Sequence, residues 1–396
     1  MKKTHAVQWG LICWLTYLSA YLCRVNFSSS LTALAVATGV DYSLLGTAGA
    51  AFFGVYAVGQ LINGFIGDHI NPVAFILTAL GGTVVCNLGV ALFDSFAMIF
   101  LLWALNGYFQ SIFWSTIIRV LAMTVSQERR GNASAVISSA MPAGYLVSWC
   151  VLTPCFTNAN VKWSFLTPAL IALPMMALWL SNRHVLPQNA SPRQMKAGLR
   201  KDMFALIRLI CTDYMAVLLA VCILHGLIKE GVGFWFPTII HEVSDSMVSL
   251  TAGLALFPLA NFLGTVTAKR LLVPFAKRPK IIVRGCFAAM APLCVGVMLA
   301  KGMWVLIPMC MISALSYCAN TVLMSYIPMQ YLSKGFVSSL VGVLDFCSYL
   351  GAAIATYVLG GMLETSGMRG ISLVWLVASC AAMLMLLLQP REESAE

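Results

Sequence analysis

A chain of 396 residues that is 60% hydrophobic and only 10% charged is not a soluble globular domain, where about a quarter of residues carry charge. Its formal net charge of +10 does not call for nucleic acid, because the Lys and Arg residues collect in gaps between apolar runs, where anionic inner-leaflet lipids are the natural partners. A polytopic membrane protein remains, and its loops are too short to house a catalytic domain, so no enzyme is expected.

A helix needs about 20 mostly apolar residues to cross the hydrocarbon. Punctuation by Gly, Pro and charge divides the chain into twelve such spans: 8–31, 43–66, 73–93, 96–122, 132–156, 163–181, 213–239, 247–268, 281–300, 303–327, 336–360 and 369–388. The first span carries Arg24 within its apolar run, with Tyr21 and Asn26 close by; the second ends in Gly64-x-x-x-Asp68-His69. The fourth carries Asn106, Gln110, Trp114 and Arg119, and runs into Ser126-Gln127-x-x-Arg130-Gly131 with Arg129 inside it. The polar stretch from Asn182 to Thr212, rich in Arg and Lys, separates six spans from six. The seventh span carries His225, Lys229 and Glu230, and the eleventh Asp345 and Tyr349.

The halves read as repeats. Arg24 and Lys229 are 205 positions apart; Arg130-Gly131-x-x-Ser134 with Tyr145-Leu146, and Lys334-Gly335-x-x-Ser338 with Tyr349-Leu350, are offset by 204. A charge near a helix centre costs roughly 2.5–3.5 kcal/mol on insertion scales. Two such cations at equivalent places are therefore read as an anion site on a pseudo-twofold axis. The expected fold is all-α and integral to the membrane: a six-helix bundle over 1–181, a cytoplasmic linker over 182–212 and a second six-helix bundle over 213–396. One side of the membrane receives only Lys162, Lys301 and Arg369, while the other collects Lys2, Lys3, Arg129, Arg130, the 183–208 loop, 269–284, Lys334 and Arg391. Cytoplasmic loops hold the excess of positive charge, so both termini are expected in the cytoplasm. No cleavage site follows a short apolar core at the start, and the first span is expected to be retained. The 13 Cys are scattered without CxxC spacing and the five His show no ligand pattern, so neither a disulfide frame, a metal nor another cofactor is expected.

Two six-helix halves with substrate near the midplane are the plan of the major facilitator superfamily. Gly64-x-x-x-Asp68-His69 resembles that superfamily's Gly-x-x-x-Asp-Arg loop, and the second copy, Gly264 to Lys269-Arg270, has Ala268 in place of the acid. Within it the chain resembles the organophosphate:inorganic phosphate antiporters. The resemblance is carried by Tyr21-Leu22-x-Arg24-x-Asn26-Phe27, Gly67-Asp68-x-x-Asn71-Pro72, Gly107-x-Phe109-Gln110-x-x-x-Trp114-x-x-x-x-Arg119, Leu227-Ile228-Lys229-x-Gly231-Val232-x-x-Trp235 and Tyr349-Leu350-Gly351. It implies exchange of a phosphorylated metabolite for inorganic phosphate in the cell membrane, with Arg24, Lys229, Tyr21, Gln110, Trp114, Tyr349 and Asp345 at the substrate and Gly64, Asp68, Arg129 and Arg130 at the cytoplasmic gate. A monomer is the expected state.

Departures from the family pattern leave alternatives open. Lys229 stands in place of an arginine, Val25 and Gln60 in place of lysines, and Met141 in place of a histidine. Lys is a point charge that lacks the bidentate guanidinium fork, so a carboxylate or other organic anion competes with a phosphate ester as cargo, and a non-transporting sensor is the rival of another class. For Lys229 the role competing with substrate contact is neutralisation by an internal acid. Adjacent helical residues do not face each other, so Glu230 is expected to be a poor partner and Asp345 the better one. Asp345 otherwise tunes specificity or carries a proton. For Gln110 and Trp114 the competing role is helix packing; packing is also expected for Tyr56, Trp235 and His225, and a structural role for Arg119. Asp68 is expected to face the positive N-terminus of the eleventh span near Lys334-Gly335.

Overall fold

A computed structural model describes residues 3–40, 42–152, 161–183, 207–243, 247–332 and 337–388. Among these residues helices fill every expected span. They are α1 (Lys3–Ser29), α2 (Tyr42–Gly67), α3 (Pro72–Leu92), α4 (Phe96–Thr124), α5 (Gln127–Leu152), α6 (Trp163–Asn182), α7 (Asp213–Val243), α8 (Met247–Phe275), α9 (Lys280–Leu299) and α10 (Gly302–Met329). A last helical run, Val337–Leu388, is broken at Gly367 (φ 59°, ψ −161°), a backbone shape open to a residue without Cβ; α11 precedes the break and α12 follows it. A short helix, Leu31–Thr38, extends α1 and is closed by Gly39 in the left-handed region. Among the described residues, ten helical stretches are long and apolar enough to cross a membrane.

Helix ends follow local chemistry where a cap is present. Asn71 accepts from the N–H groups of Val73 and Ala74, with Pro72 at the first helical position, satisfying donors that the first turn leaves open. Several helices run beyond the apolar run that located them. In α8 the helix continues through Lys269 and Arg270 to Phe275, because backbone hydrogen bonding does not stop where the hydrocarbon does. The fifth span is uneven, opening in a 3-10 turn (Gln127–Arg129) and closing in a π-helical stretch (Val147–Leu152), and another π-helical stretch, Thr321–Tyr326, lies within α10.

The chain divides into two compact units, one comprising Met1–Arg193 with Pro328–Gly342, the other Gln194–Ile327 with Val343–Glu396. Within the first, α4 packs most extensively on α2 and then on α3; within the second, α10 packs in the same way on α8 and α9. The internal pairing of helices thus repeats, as expected of duplicated halves. Each unit uses glycine where its helices cross closely. A Cβ on Gly107 would run into the Phe52 carbonyl, and one on Gly264 into that of Ala314, so small residues let the backbones meet without a strong hydrophobic drive in lipid. Large buried rings fill the rest: Trp9, Trp103, Phe113, Trp114, Phe165 and Trp179 in the first unit, Phe236, Phe257, Phe287 and Trp375 in the second.

Amide side chains stitch the first unit. Asn26 donates to Asn87 Oδ1 (2.8 Å) and to the Ser164 carbonyl (3.1 Å), Asn87 donates to the carbonyls of Cys23 (3.3 Å) and Thr83 (3.0 Å), and Asn106 donates to Cys23 (3.1 Å). Polar side chains of α1, α3 and α4 and the α6 backbone are joined where water cannot serve them.

Candidate functional site

Arg24 is buried in α1, with 8% of its surface exposed. Its guanidinium carbon lies 4.7 Å from the ring centre of Tyr56, 5.3 Å from Tyr21, 5.5 Å from Phe52 and 5.7 Å from Phe53. Four ring faces thus surround one cation, each within the range where a quadrupole attracts a charge. Phe52 and Tyr56 are four apart on α2, which puts both on one face, the one turned toward Arg24. Tyr56 therefore packs, as expected, but it packs against the cation, and its hydroxyl accepts from Gln60 Nε2 (2.8 Å). An arginine held this way keeps its five donors in a fixed plane while its delocalised face rests on aromatic surface.

The other residues expected at the substrate in this unit are drawn into helix packing. Gln110 donates through Nε2 to the Ala20 carbonyl (3.0 Å), and Trp114 lies on the Tyr17 ring at 4.7 Å. Tyr21 meets Tyr17 at 5.1 Å and Tyr145 at 5.7 Å, with the Gly144 backbone against its Cβ. All three side chains are within a few per cent of full burial. Tyr21 is brought to Arg24; Gln110 and Trp114 join α4 to α1.

In the second unit Lys229 is buried in α7 and is ion-paired with Glu230 Oε1. This corrects the expectation that adjacency on a helix disqualifies Glu230. The Cα–Cβ bonds do diverge, but four methylenes on Lys and two on Glu let the head groups curl together, and burial leaves the cation little water to choose instead. The Tyr317 ring on α10 lies 5.4 Å from Nζ. His225, one turn earlier and fully buried, makes its Nε2 contact with the Ser316 carbonyl at 3.0 Å. Asp345 and Tyr349 are buried one turn apart on α11. That helix crosses α7 tightly, because a Cβ on Gly226 would meet the Ser348 backbone and one on Gly351 the Ile223 carbonyl.

The residues expected at the gate are gathered in the first unit. Asp68 lies just beyond α2 and is buried, and its carboxylate accepts from Ser338 N (3.0 Å) through Oδ1 and from Ser339 N (2.7 Å) and Ser339 Oγ (2.6 Å) through Oδ2. These donors sit in the first turn of α11, where N–H groups lack intrahelical partners and the dipole is positive. Arg119 on α4 donates to the carbonyls of Gly67 and Ile70, with Nε 3.9 Å from Asp68 Oδ1. Burial raises the Asp68 carboxyl above the ordinary carboxylate range, and the Ser339 bonds, Arg119 and the Ser338 N–H act against that rise. Gly64 makes the approach possible, since a Cβ there would lie 2.7 Å from Gly342 Cα and 2.8 Å from the Ser338 carbonyl. Arg130 is buried at the start of its helix while Arg129 is exposed; Lys334, Gly335 and the side chain of Trp235 lie outside the described residues.

Two units with the same internal helix pairing, each with a buried cation in its opening helix, make the architecture of a two-repeat, multi-pass membrane protein. The chain belongs to the Major Facilitator Superfamily, whose family model matches residues 13–356. Its overall fold is that of the proton:xylose symporter XylE, with a TM-score of 0.77 over 98% of this chain and 95% of that one at 13% identity. A putative glycerol-3-phosphate transporter 3 of Arabidopsis thaliana is 33% identical over 134 residues, 33% of this chain and 26% of the relative. The match thus spans about a quarter of that relative's length. Membrane sensor protein UhpC of Escherichia coli is 21% identical over 411 residues, covering 95% of this chain and 90% of that protein.

Proposed function

We propose that this protein is a secondary transporter of small organic anions that exchanges a phosphorylated metabolite for inorganic phosphate by alternating access. The observation that carries the proposal is the pair of buried cations, Arg24 in α1 and Lys229 in α7, at matching positions of two repeats. Similarity to a glycerol-3-phosphate transporter supports phosphate as the charged group. An anion bound by Arg24 and Lys229 is exposed first to one face of the membrane and then to the other, with Tyr21, Gln110, Trp114, Tyr349 and Asp345 shaping its surroundings. Lys229 is already paired with Glu230, so the dependence of movement on exchange is assigned to the anion completing the site, and exchange of one anion for another needs no ATP. Asp68, with Gly64 and the Arg129–Arg130 pair, acts as the cytoplasmic gate, and the protein sits in the cell membrane as a monomer with both termini in the cytoplasm.

Efflux of labelled phosphate from proteoliposomes tests this, with glycerol phosphate, sugar phosphates or carboxylates outside. Exchange driven by a phosphate ester and lost in Arg24→Ala and Lys229→Ala supports the reading; equal efflux with and without external anion refutes it. A second reading has one specific support, the nearly full-length similarity to a membrane sensor protein. A sensor binds the same esters without turnover, so saturable binding with no exchange would select it.

A further inference from the structure

We propose that Glu230 is a specificity-determining residue that holds down the binding of doubly charged relative to singly charged anions. The inference rests on Lys229 serving as a substrate cation, as proposed above. Lys229 and Glu230 form an ion pair whose side chains are only 6% and 10% exposed, and the Tyr317 ring lies 5.4 Å from the ammonium. The second unit therefore presents its cation already coupled to a carboxylate, whereas Arg24 is presented among four rings. An anion that engages Lys229 must share it with Glu230 or draw it away, and in either case the carboxylate stays close to the incoming charge. At roughly 6 Å and an effective dielectric constant of about 20, repulsion by the carboxylate takes back about a hundredfold in binding for each negative charge on the ligand, against the attraction of Lys229. A monoanion meets that repulsion once and a dianion twice.

Other titratable groups belong to the elements around the pair: His225 and Cys222 on α7, Tyr317 on α10, and Asp345 and Cys347 on α11. A pH profile of one ligand would mix their titration with that of the ligand, so the test compares ligands matched in shape and different in charge.

Binding by the full-length protein in detergent is measured calorimetrically at pH 5.5 and pH 8 with four probes. Glycerol 3-phosphate passes from monoanion to dianion near about pH 6, and its methyl diester stays a monoanion. Butyrate and succinate supply a monoanion and a dianion at pH 8 without phosphate. The wild type sets two reference affinity ratios, glycerol 3-phosphate to its diester at pH 8 and succinate to butyrate. Glu230→Gln is expected to raise both ratios by up to about a hundredfold, and Glu230→Asp to return them toward the wild type. Unchanged ratios in a Glu230→Gln variant that still binds the diester and butyrate overturn the proposal. If only the carboxylates bind, the phosphate reading fails and the carboxylate pair still decides the role of Glu230. If Lys229→Ala retains wild-type binding of all four probes, Lys229 is no substrate cation and this proposal falls with that role.

Discussion

Replacing Asp68 by Asn tests whether the carboxylate, and not packing around it, holds the start of α11. The wild-type group accepts three hydrogen bonds, from Ser338 N, Ser339 N and Ser339 Oγ, at 3.0, 2.7 and 2.6 Å. Asn keeps one acceptor oxygen and aims an amide nitrogen at a donor, so one N–H becomes unpaired and the other loses its charged partner. A hydrogen bond to a charged group contributes about 1.5–3 kcal/mol, and a neutral one about 1. With the loss of a favourable helix-terminus charge, worth about 0.5–1 kcal/mol, the contact is weakened by about 3 kcal/mol. That corresponds to a roughly 150-fold larger opening constant for the two amides. Hydrogen–deuterium exchange on a peptide spanning Ser338 and Ser339, with the protein in nanodiscs, reads that change directly. Ser339→Ala, which removes only the hydroxyl bond, should raise exchange by about tenfold. Unchanged protection in Asp68→Asn would refute the assignment of these bonds as the restraint.

Gly64→Ala forces a methyl group against the Gly342 backbone and should destabilise by about 1–3 kcal/mol, seen as a lower melting temperature in detergent; Gly54→Ala, where nothing lies within 4 Å, should leave it unchanged or slightly higher. Arg24→Lys keeps the charge but loses the planar fork and its stacking among Tyr21, Phe52, Phe53 and Tyr56, so exchange should fall at least about tenfold. Wild-type exchange in Arg24→Lys would show that only charge matters. Asn87→Ala removes the acceptor for Asn26 and the donor to Cys23 and should cost about 1–3 kcal/mol by leaving buried polar groups unpaired, lowering the melting temperature without abolishing ligand binding.

The fold was legible because it depends on a local property. A run of about 20 apolar residues must become a helix in lipid, since every backbone polar group needs an internal partner, and all twelve expected spans are helical among the described residues. The repeat was legible for a similar reason, in that buried cations are costly enough to stand out as Arg24 and Lys229 do. Helix ends were less legible, because charge marks the edge of the hydrocarbon and not the end of backbone hydrogen bonding, as α8 beyond Lys269 illustrates.

What surrounds those cations was decided by tertiary structure. Periodicity put Phe52 and Tyr56 on one face of α2, but only packing turned that face toward Arg24 and made a ring enclosure of it. Spacing put Gln110 and Trp114 together on α4, and the fold committed Gln110 to the Ala20 carbonyl. The Lys229–Glu230 pair ran against the helical spacing rule because burial withdrew the alternative of water and flexible stems closed the gap. Asp68 and Ser339 are 271 residues apart in the chain. Sequence alone names an acid at a helix end and a helix start elsewhere; the meeting of the two depends on glycines at 64 and 342 that let the backbones come close enough for a side chain of two carbons to reach.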